Sequence, residues 1–328
     1  MDALAPTPGP DGPDPVGRDA NRFAPELMYA AATQYYLEDV TQAGVAERLG
    51  VSRATVSRIL TEARRQGIVT ISVHRPDGYE RLAAEVADAL GLHAVYVVPE
   101  VQGTQLGPWL SPGVTRALTG VGLEPGDVLL VSSGRTVYEC ALEERTRLPG
   151  VVIAPAVGGQ EDPQPWFQTN ETTRVLAERT GARPSYLYAP ALPGRELFES
   201  LHRDPTFQRI TTLWTRARCA LVGVGSAPLT RTSLPSFVPS DAPSLQRAVG
   251  DVCSRFYDRD GQPVDYPGSE RIVATGLDDL RHIPDTIAVA VGEDKVRSIV
   301  AAARGRYFTQ LVTDAATATR LVQQAPRH

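Results

Sequence analysis

The sequence predicts an α/β protein in which an N-terminal winged helix-turn-helix precedes a mainly parallel, Rossmann-like sheet domain. Three observations carry the prediction. Residues 42–60, QAGVAERLGVSRATVSRIL, hold two short helical patterns around a glycine. From residue 94 onward, short apolar runs alternate with amphipathic stretches. Glycine-rich turns follow four of those runs, as they do where a sheet binds a ligand beyond its strand ends.

In chain order, residues 1–21 are rich in Pro, Gly and Asp, which reads as a disordered leader and not as a targeting segment. Residues 26–37, ELMYAAATQYYL, have apolar side chains on a helical period, with Pro25 at the first turn. Thr41 is placed to cap a helix ending at Leu49, whose buried stripe is Val45, Ala46 and Leu49. Gly50 can take positive φ without steric cost, so the chain reverses there. Ser52 caps the second helix, and Val56, Ile59, Leu60 and Ala63, at i, i+3, i+4 and i+7, form its inner face. Gly67 ends that helix before an alternating strand at residues 68–73, which resembles a wing.

The partner implied by this head is double-stranded DNA. Arg53, Ala54, Ser57 and Arg58 face outward near the N-terminal end of the second helix, where arginine can fork onto guanine and alanine can meet a thymine methyl. Ser52, Thr55, Arg64 and Arg65 are better placed for phosphates. Between residues 41 and 75 the cations Arg48, Arg53, Arg58, Arg64, Arg65 and Arg75 face only Glu47 and Glu62, while the whole chain carries a formal charge of −5. Basic charge is thus concentrated in one module. A plain helical hairpin with a solvated arginine face is the competing reading, and it predicts no salt-dependent DNA binding.

Composition excludes several classes. A 42% hydrophobic, 22% charged chain of 328 residues suggests a soluble protein of two domains, with residues 22–75 as the DNA-binding head and 76–328 as the second domain. No run approaches the roughly 18 apolar residues of a membrane span. Cys140, Cys219 and Cys253 are odd in number and far apart, so they read as core residues of a reducing compartment, with the cytoplasm as the expected location. The five histidines show no ligand spacing, and neither a metal nor a cofactor is expected.

After a helical pattern at residues 79–90, strands are expected at 94–98, 127–131, 151–154, 186–188, 219–224, 286–291 and 308–312. Helical patterns at 137–145, 171–179, 196–201, 207–215, 244–249, 295–303 and 315–322 lie among them, and no internal repeat is visible. The turn Ser132, Ser133, Gly134, Arg135, Thr136 follows an apolar strand and opens a helix, a good place for an anion. Gly158 and Gly159, Gly225 in GVGS, and Gly292 ahead of Lys295 occupy the other three turns. Lys295 is the only lysine in the chain, and its place in an expected crevice makes it a candidate effector contact. Residues 258–261, DRDG, resemble half a calcium loop without the later bidentate acid, and so read as a turn between strands.

The head motif, taken with SSGRT, LVGVGS, GDVCSRFYDRDGQPV and IAVAVGEDKVRSIVAAARGRYFTQLVTDAATATRLV, resembles the SorC-type sugar-sensing transcriptional regulators from about Pro25 to the C-terminus. The resemblance implies an effector domain related in fold to ribose-5-phosphate isomerase and glucosamine-6-phosphate deaminase, a phosphorylated sugar or polyol as ligand, and a homotetramer. By position it gives Ser133, Gly134, Arg135 and Thr136 to the phosphate, and Asp251 and Lys295 to the sugar end. Three positions depart from the pattern. Ser133 stands where many members have tryptophan, Gly44 replaces a polar residue, and Arg306 replaces the second of a frequent glycine pair. The expected function is a DNA-binding transcriptional regulator controlled by that ligand. The alternative is a sugar-phosphate isomerase or deaminase carrying a DNA- or partner-binding head, for which Asp251 is the candidate base but has no second acid or histidine convincingly paired with it.

Overall fold

The alternation of apolar and amphipathic stretches becomes a parallel sheet covered on both faces. The structure is a computed structural model that describes residues 23–69, 78–231, 234–239 and 241–324. Contacts divide the chain into two compact units, Met1–Arg75 and Pro76–His328. The expected leader, residues 70–73 of the expected wing strand, and Arg75 lie outside the described residues; Ile68 and Val69 are bends packed on the head's core.

The first unit holds α1 (Pro25–Ala32), continued by a π-helical turn (Thr33–Leu37), then α2 (Gln42–Leu49) and α3 (Arg53–Arg65). Thr41 Oγ1 accepts the N–H of Gly44, Gly50 closes α2 at φ 65°, and Ser52 Oγ accepts the N–H of Thr55. Val56, Ile59, Leu60 and Ala63 are buried with Met28 and Ala31 of α1 and Val45 and Ala46 of α2. The same side chains that set the helical period therefore form the head's core.

The second unit runs α4 (Glu80–Leu90), β1 (Ala94–Val98), α5 (Gly107–Val121), β2 (Val128–Val131), α6 (Arg135–Glu143), β3 (Val152–Pro155), α7 (Thr169–Thr180), β4 (Arg183–Pro184), α8 (Arg195–Arg203) and α9 (Pro205–Thr215). It continues with β5 (Cys219–Gly223), β6 (Ala248–Val252), β7 (Arg255–Asp258), β8 (Pro263–Val264), α10 (Leu277–His282), β9 (Asp285–Val289), α11 (Val296–Arg304), β10 (Gln310–Asp314) and α12 (Ala315–Gln324). Seven strands form one sheet in the order β1-β10-β9-β5-β2-β3-β4, and every pairing in it is parallel. Strands β6, β7 and β8 form a small antiparallel sheet.

Continuous apolar runs follow from burial on both faces. Along β2, Val128 and Leu130 enter one core while Leu129 and Val131 enter the other, and Ala220 with Val222 against Cys219 with Leu221 repeat the split on β5. Side chains of α4, α10, α11 and α12 join the first core, and those of α5, α6 and α7 join the second. From β2 the chain moves outward to β3 and β4, then returns to place β5 on the other side of β2. The β2/β5 boundary is thus a topological switch point, where two connections leave a crevice between them.

Four differences from the sequence pattern have local causes. Helix α5 was not among the expected helices because Gly107, Pro108, Pro112 and Gly113 interrupt its signal. It exists because Leu110, Val114, Ala117 and Leu118 are fully buried, and a Cβ at Gly113 would press on Val312 of β10. The strand expected at 186–188 lies instead at β4, since both backbone groups of Leu187 bond the side-chain amide of Asn170. The helix expected at 244–249 is a 3₁₀ turn (Pro243–Arg247) running into β6. The strand expected at 308–312 begins two residues later, at Gln310 of β10. Asp258 Oδ1 accepts the N–H groups of Asp260 and Gln262, forming a turn between β7 and β8 as expected.

Candidate functional site

In the first unit, burial of one face of α3 turns Arg53, Ala54, Ser57, Arg58, Arg64 and Arg65 to solvent, with Ser52 exposed at the cap and Thr55 half-buried. Their charges are not equally available. Arg65 grips Glu62 through two hydrogen bonds, of 2.8 Å at Nε and 2.5 Å at Nη2. That grip, with a further bond from Gln66, holds the Glu62 carboxyl down at about 2. Arg58 and Arg64 make only 3.5 Å contacts to the hydroxyls of Thr55 and Thr61, and Arg53 has no ion-pair partner among the described residues. Arg48, counted in the basic module by sequence, is paired with Glu38 at 3.0 Å. The unpaired basic charge exposed on α3 therefore rests on Arg53, Arg58 and Arg64.

In the second unit, a cavity of about 370 Å³ opens at the C-terminal ends of β2, β5 and β9. Its wall contains Ser133, Gly134, Arg135 and Thr136 after β2, Gly225 after β5, Asp251 of β6, and Lys295 after β9. These strands are successive neighbours, so β2 and β9 lie about 9–10 Å apart, two inter-strand spacings. That separation suits an extended five- or six-carbon chain.

At the β2 end, Gly134 takes φ 123°, a conformation open to glycine, and turns the strand into α6. The N-terminus of α6 thus reaches the cavity, where helical N–H groups and the helix dipole favour an anion. The Arg135 guanidinium bonds Glu139 and the Thr104 carbonyl, each at 2.6 Å, and sits 5.7 Å from the centre of the Trp166 ring. Its charge is largely answered within the protein. Ser133 Oγ receives a 3.4 Å contact from Gln160, and the Gly134 N–H donates to the Trp166 carbonyl at 2.8 Å.

The β9 end is built around a buried ion pair. Arg231 bonds Asp251, whose side chain is 11% exposed. Gly225 stands against both: its N–H donates to the Asp251 carbonyl at 2.9 Å, and its carbonyl accepts from Ser298, which in turn bonds the buried Tyr257 hydroxyl at 2.8 Å. Lys295 is half-buried, lines the cavity, and has no hydrogen-bond partner among the described residues. Burial holds its pKa below the usual lysine value, with Arg231 pushing the same way and Asp294 and Asp251 opposing. Cys253 also lines the wall, its thiol pushed up to about 12, chiefly by burial.

Four sequence candidates stand away from the cavity wall. Ser132 is buried and bridges strands, donating to the Ser133 carbonyl and accepting from the Gly223 N–H. Gly158 and Gly159 spend their N–H groups on the carbonyls of Val273 and Ala189, and a Cβ on Gly158 would strike the 189–191 backbone. Gly292 donates to Thr317 Oγ1. Conversely, Arg231, Gln160, Trp166, Phe167, Thr230 and Ser254 line the cavity without having been singled out. A tryptophan in the polar stretch 160–168 was a usable signal for Trp166; Arg231 has none, because only the fold brings it to Asp251.

Two family models match the chain. The family described as "Putative sugar-binding domain" matches residues 74–323, and that described as "Sigma-70, region 4" matches residues 33–66. The sorbitol operon regulator of Klebsiella pneumoniae is 33% identical over 90% of this chain and 98% of its own. The chain belongs to the SorC family of sugar-binding transcriptional regulators. The deoxyribonucleoside regulator of Bacillus subtilis is 32% identical over 92% of this chain and 99% of its own. The crystal structure of full-length SorC from Klebsiella pneumoniae superposes with a TM-score of 0.72 at 31% identity, covering 92% of this chain and 100% of that one. This SorC-family chain is therefore a transcriptional regulator with a helix-turn-helix head and a sugar-binding domain of α/β fold. Among the described residues no helix is long and apolar enough to cross a membrane, and no cluster of His, Cys, Asp and Glu could hold a metal ion.

Proposed function

We propose that this regulator binds operator DNA through α3 and that a phosphorylated sugar or polyol in the β2–β9 cavity controls that binding. The observation that carries the reading is the cavity itself: it lies at the sheet's switch point with the α6 N-terminus at one end and polar, charged groups at the other. A phosphate suits the first end, where the space beside Gly134 is open and the first turn of α6 offers backbone N–H donors. Hydroxyls suit the second, where Asp251 accepts and Lys295 donates. Arg53, Ala54, Ser57 and Arg58 read bases, and Ser52, Thr55 and Arg64 hold phosphates. The related regulators are named for a sorbitol operon and for deoxyribonucleosides, in keeping with a sugar-like effector. The protein acts in the cytoplasm as a symmetric oligomer, a tetramer, whose paired heads favour palindromic or repeated sites.

Binding is favoured over turnover by one feature. Asp251, the acid best placed to act as a base, is already engaged by Arg231, and no histidine lines the cavity among the described residues. The test is fluorescence anisotropy of the full chain on DNA from upstream of its own gene, across salt and with a panel of sugar and polyol phosphates. Affinity that falls steeply with salt and shifts with one phosphorylated compound is expected. DNA binding indifferent to every phosphorylated compound, yet altered by an unphosphorylated one, refutes the phosphate.

A further inference from the structure

The two ends of the cavity differ in the charge they leave unanswered. At the β2 end the Arg135 guanidinium is bonded to Glu139, so an anion there is held mainly by backbone N–H groups. At the β9 end, two cations, Arg231 and Lys295, share one buried carboxylate, Asp251. Asp294 also borders this end and, though exposed, is the carboxylate that acts most strongly on Lys295. Two cations thus face two carboxylates, but among the described residues only Arg231 and Asp251 close an ion pair. The Arg231 Nε is buried without a partner, and the Lys295 ammonium has none among the described residues. A cationic donor left without a partner in a cavity wall can be answered by an acceptor brought into the cavity.

We propose that the Arg231–Lys295 end takes a carboxylate of the effector, so that the ligand is a sugar acid phosphate with its acid group at the end remote from the phosphate. The inference rests on the phosphate reading given above. A carboxylate brings two acceptor oxygens, enough for the two unpartnered donors. A carboxylate can also accept from the ammonium and from the guanidinium, which keeps donors beyond the one that holds Asp251. The spacing of two strand intervals, about 9–10 Å, separates the acid and phosphate ends of a six-carbon chain.

The test is isothermal titration of the full chain with matched pairs: the 6-phosphoaldonates and the 6-phosphoalditols of the gluco, manno and galacto series, together with hexose bisphosphates. For the best-fitting series the acid should bind at least about tenfold more tightly than its alditol, the scale of one desolvated charge pair. Lys295→Met should weaken both ligands, the phosphoaldonate by at least about fivefold more than the alditol phosphate, and so remove most of that preference. A preference below tenfold in wild type, a bisphosphate bound more tightly than every phosphoaldonate, or a Lys295→Met variant that weakens both members equally overturns the proposal. In those cases phosphate binding itself survives. If no phosphorylated compound binds, both readings fall. Since the wild-type ratio needs no variant, poor folding of Lys295→Met leaves the proposal testable.

Discussion

Gly225→Ala offers a direct probe of the ion pair at the cavity's β9 end. The backbone of Gly225 lies outside the left-handed region, so alanine is conformationally acceptable there. Space is the obstacle: the new methyl would collide with Asp251 Oδ1 and Arg231 Nη1, the two atoms that pair, and press on Asp251 Cγ at 3.1 Å. Breaking a buried pair by deleting one partner costs about 3–5 kcal/mol. Here both charges remain and can re-pair after a shift, so the lower cost of overpacking, about 1–3 kcal/mol, applies. Alanine also restricts the unfolded chain, which offsets about 0.4–1 kcal/mol. A net loss of about 1–2 kcal/mol is expected from these opposing terms. Urea unfolding followed by tryptophan emission is the assay, because Trp109, Trp166 and Trp214 all lie in the second unit and report on it alone. In an Asp251→Ala background the cost of Gly225→Ala should shrink by at least about 0.5 kcal/mol, since the colliding carboxylate is gone. The steric account is refuted by a loss under about 0.5 kcal/mol in wild type, or by equal losses in the two backgrounds.

Two further outcomes are expected. Glu62→Gln removes the carboxylate that holds Arg65, so DNA affinity should rise and the dependence of log K on log salt should steepen by up to about one phosphate contact; an unchanged slope argues that Arg65 does not reach the backbone. Burial lowers the Lys295 pKa, so the lysine loses its proton below its ordinary value of about 10.4, and phosphoaldonate affinity should fall as pH rises through that range while alditol phosphate affinity changes less. The free protein should show the opposite trend in stability: between the lowered and the ordinary value the unfolded chain binds more protons at this residue, so its contribution to stability grows as pH rises. Titrations and denaturation between pH 7 and pH 10 check both signs, and Lys295→Met should flatten both.

Legibility in the sequence followed the range of the interactions involved. The caps at Thr41 and Ser52, the turn at Gly50 and the inner face of α3 could be read because each depends on neighbours within one helical turn. The turn from β2 into α6 could be read for the same reason: a strand, a glycine and a helix start are adjacent in the chain. Helix α5 could not, because Pro112 weakens its local signal and packing against the sheet decides the matter. Gly158 and Gly159 have the form of a ligand turn, yet the carbonyls that occupy their N–H groups come from residues 273 and 189. Nothing local distinguishes a glycine turn that meets a ligand from one that meets its own chain.

By itself the sequence determined the kind of protein: a helix-turn-helix head with one apolar and one basic face on α3, followed by an α/β domain. Periodicity and capping are short-range properties, and they survive in the linear order of residues. Only the tertiary structure decided how charge is distributed over these surfaces. It joins Arg65 to Glu62 on the head, answers Arg135 with Glu139, and brings Arg231 to Asp251 while leaving Lys295 in the cavity wall without a hydrogen-bond partner among the described residues. The availability of a charge depends on burial and on partners, and at the cavity those partners come from segments remote in the chain.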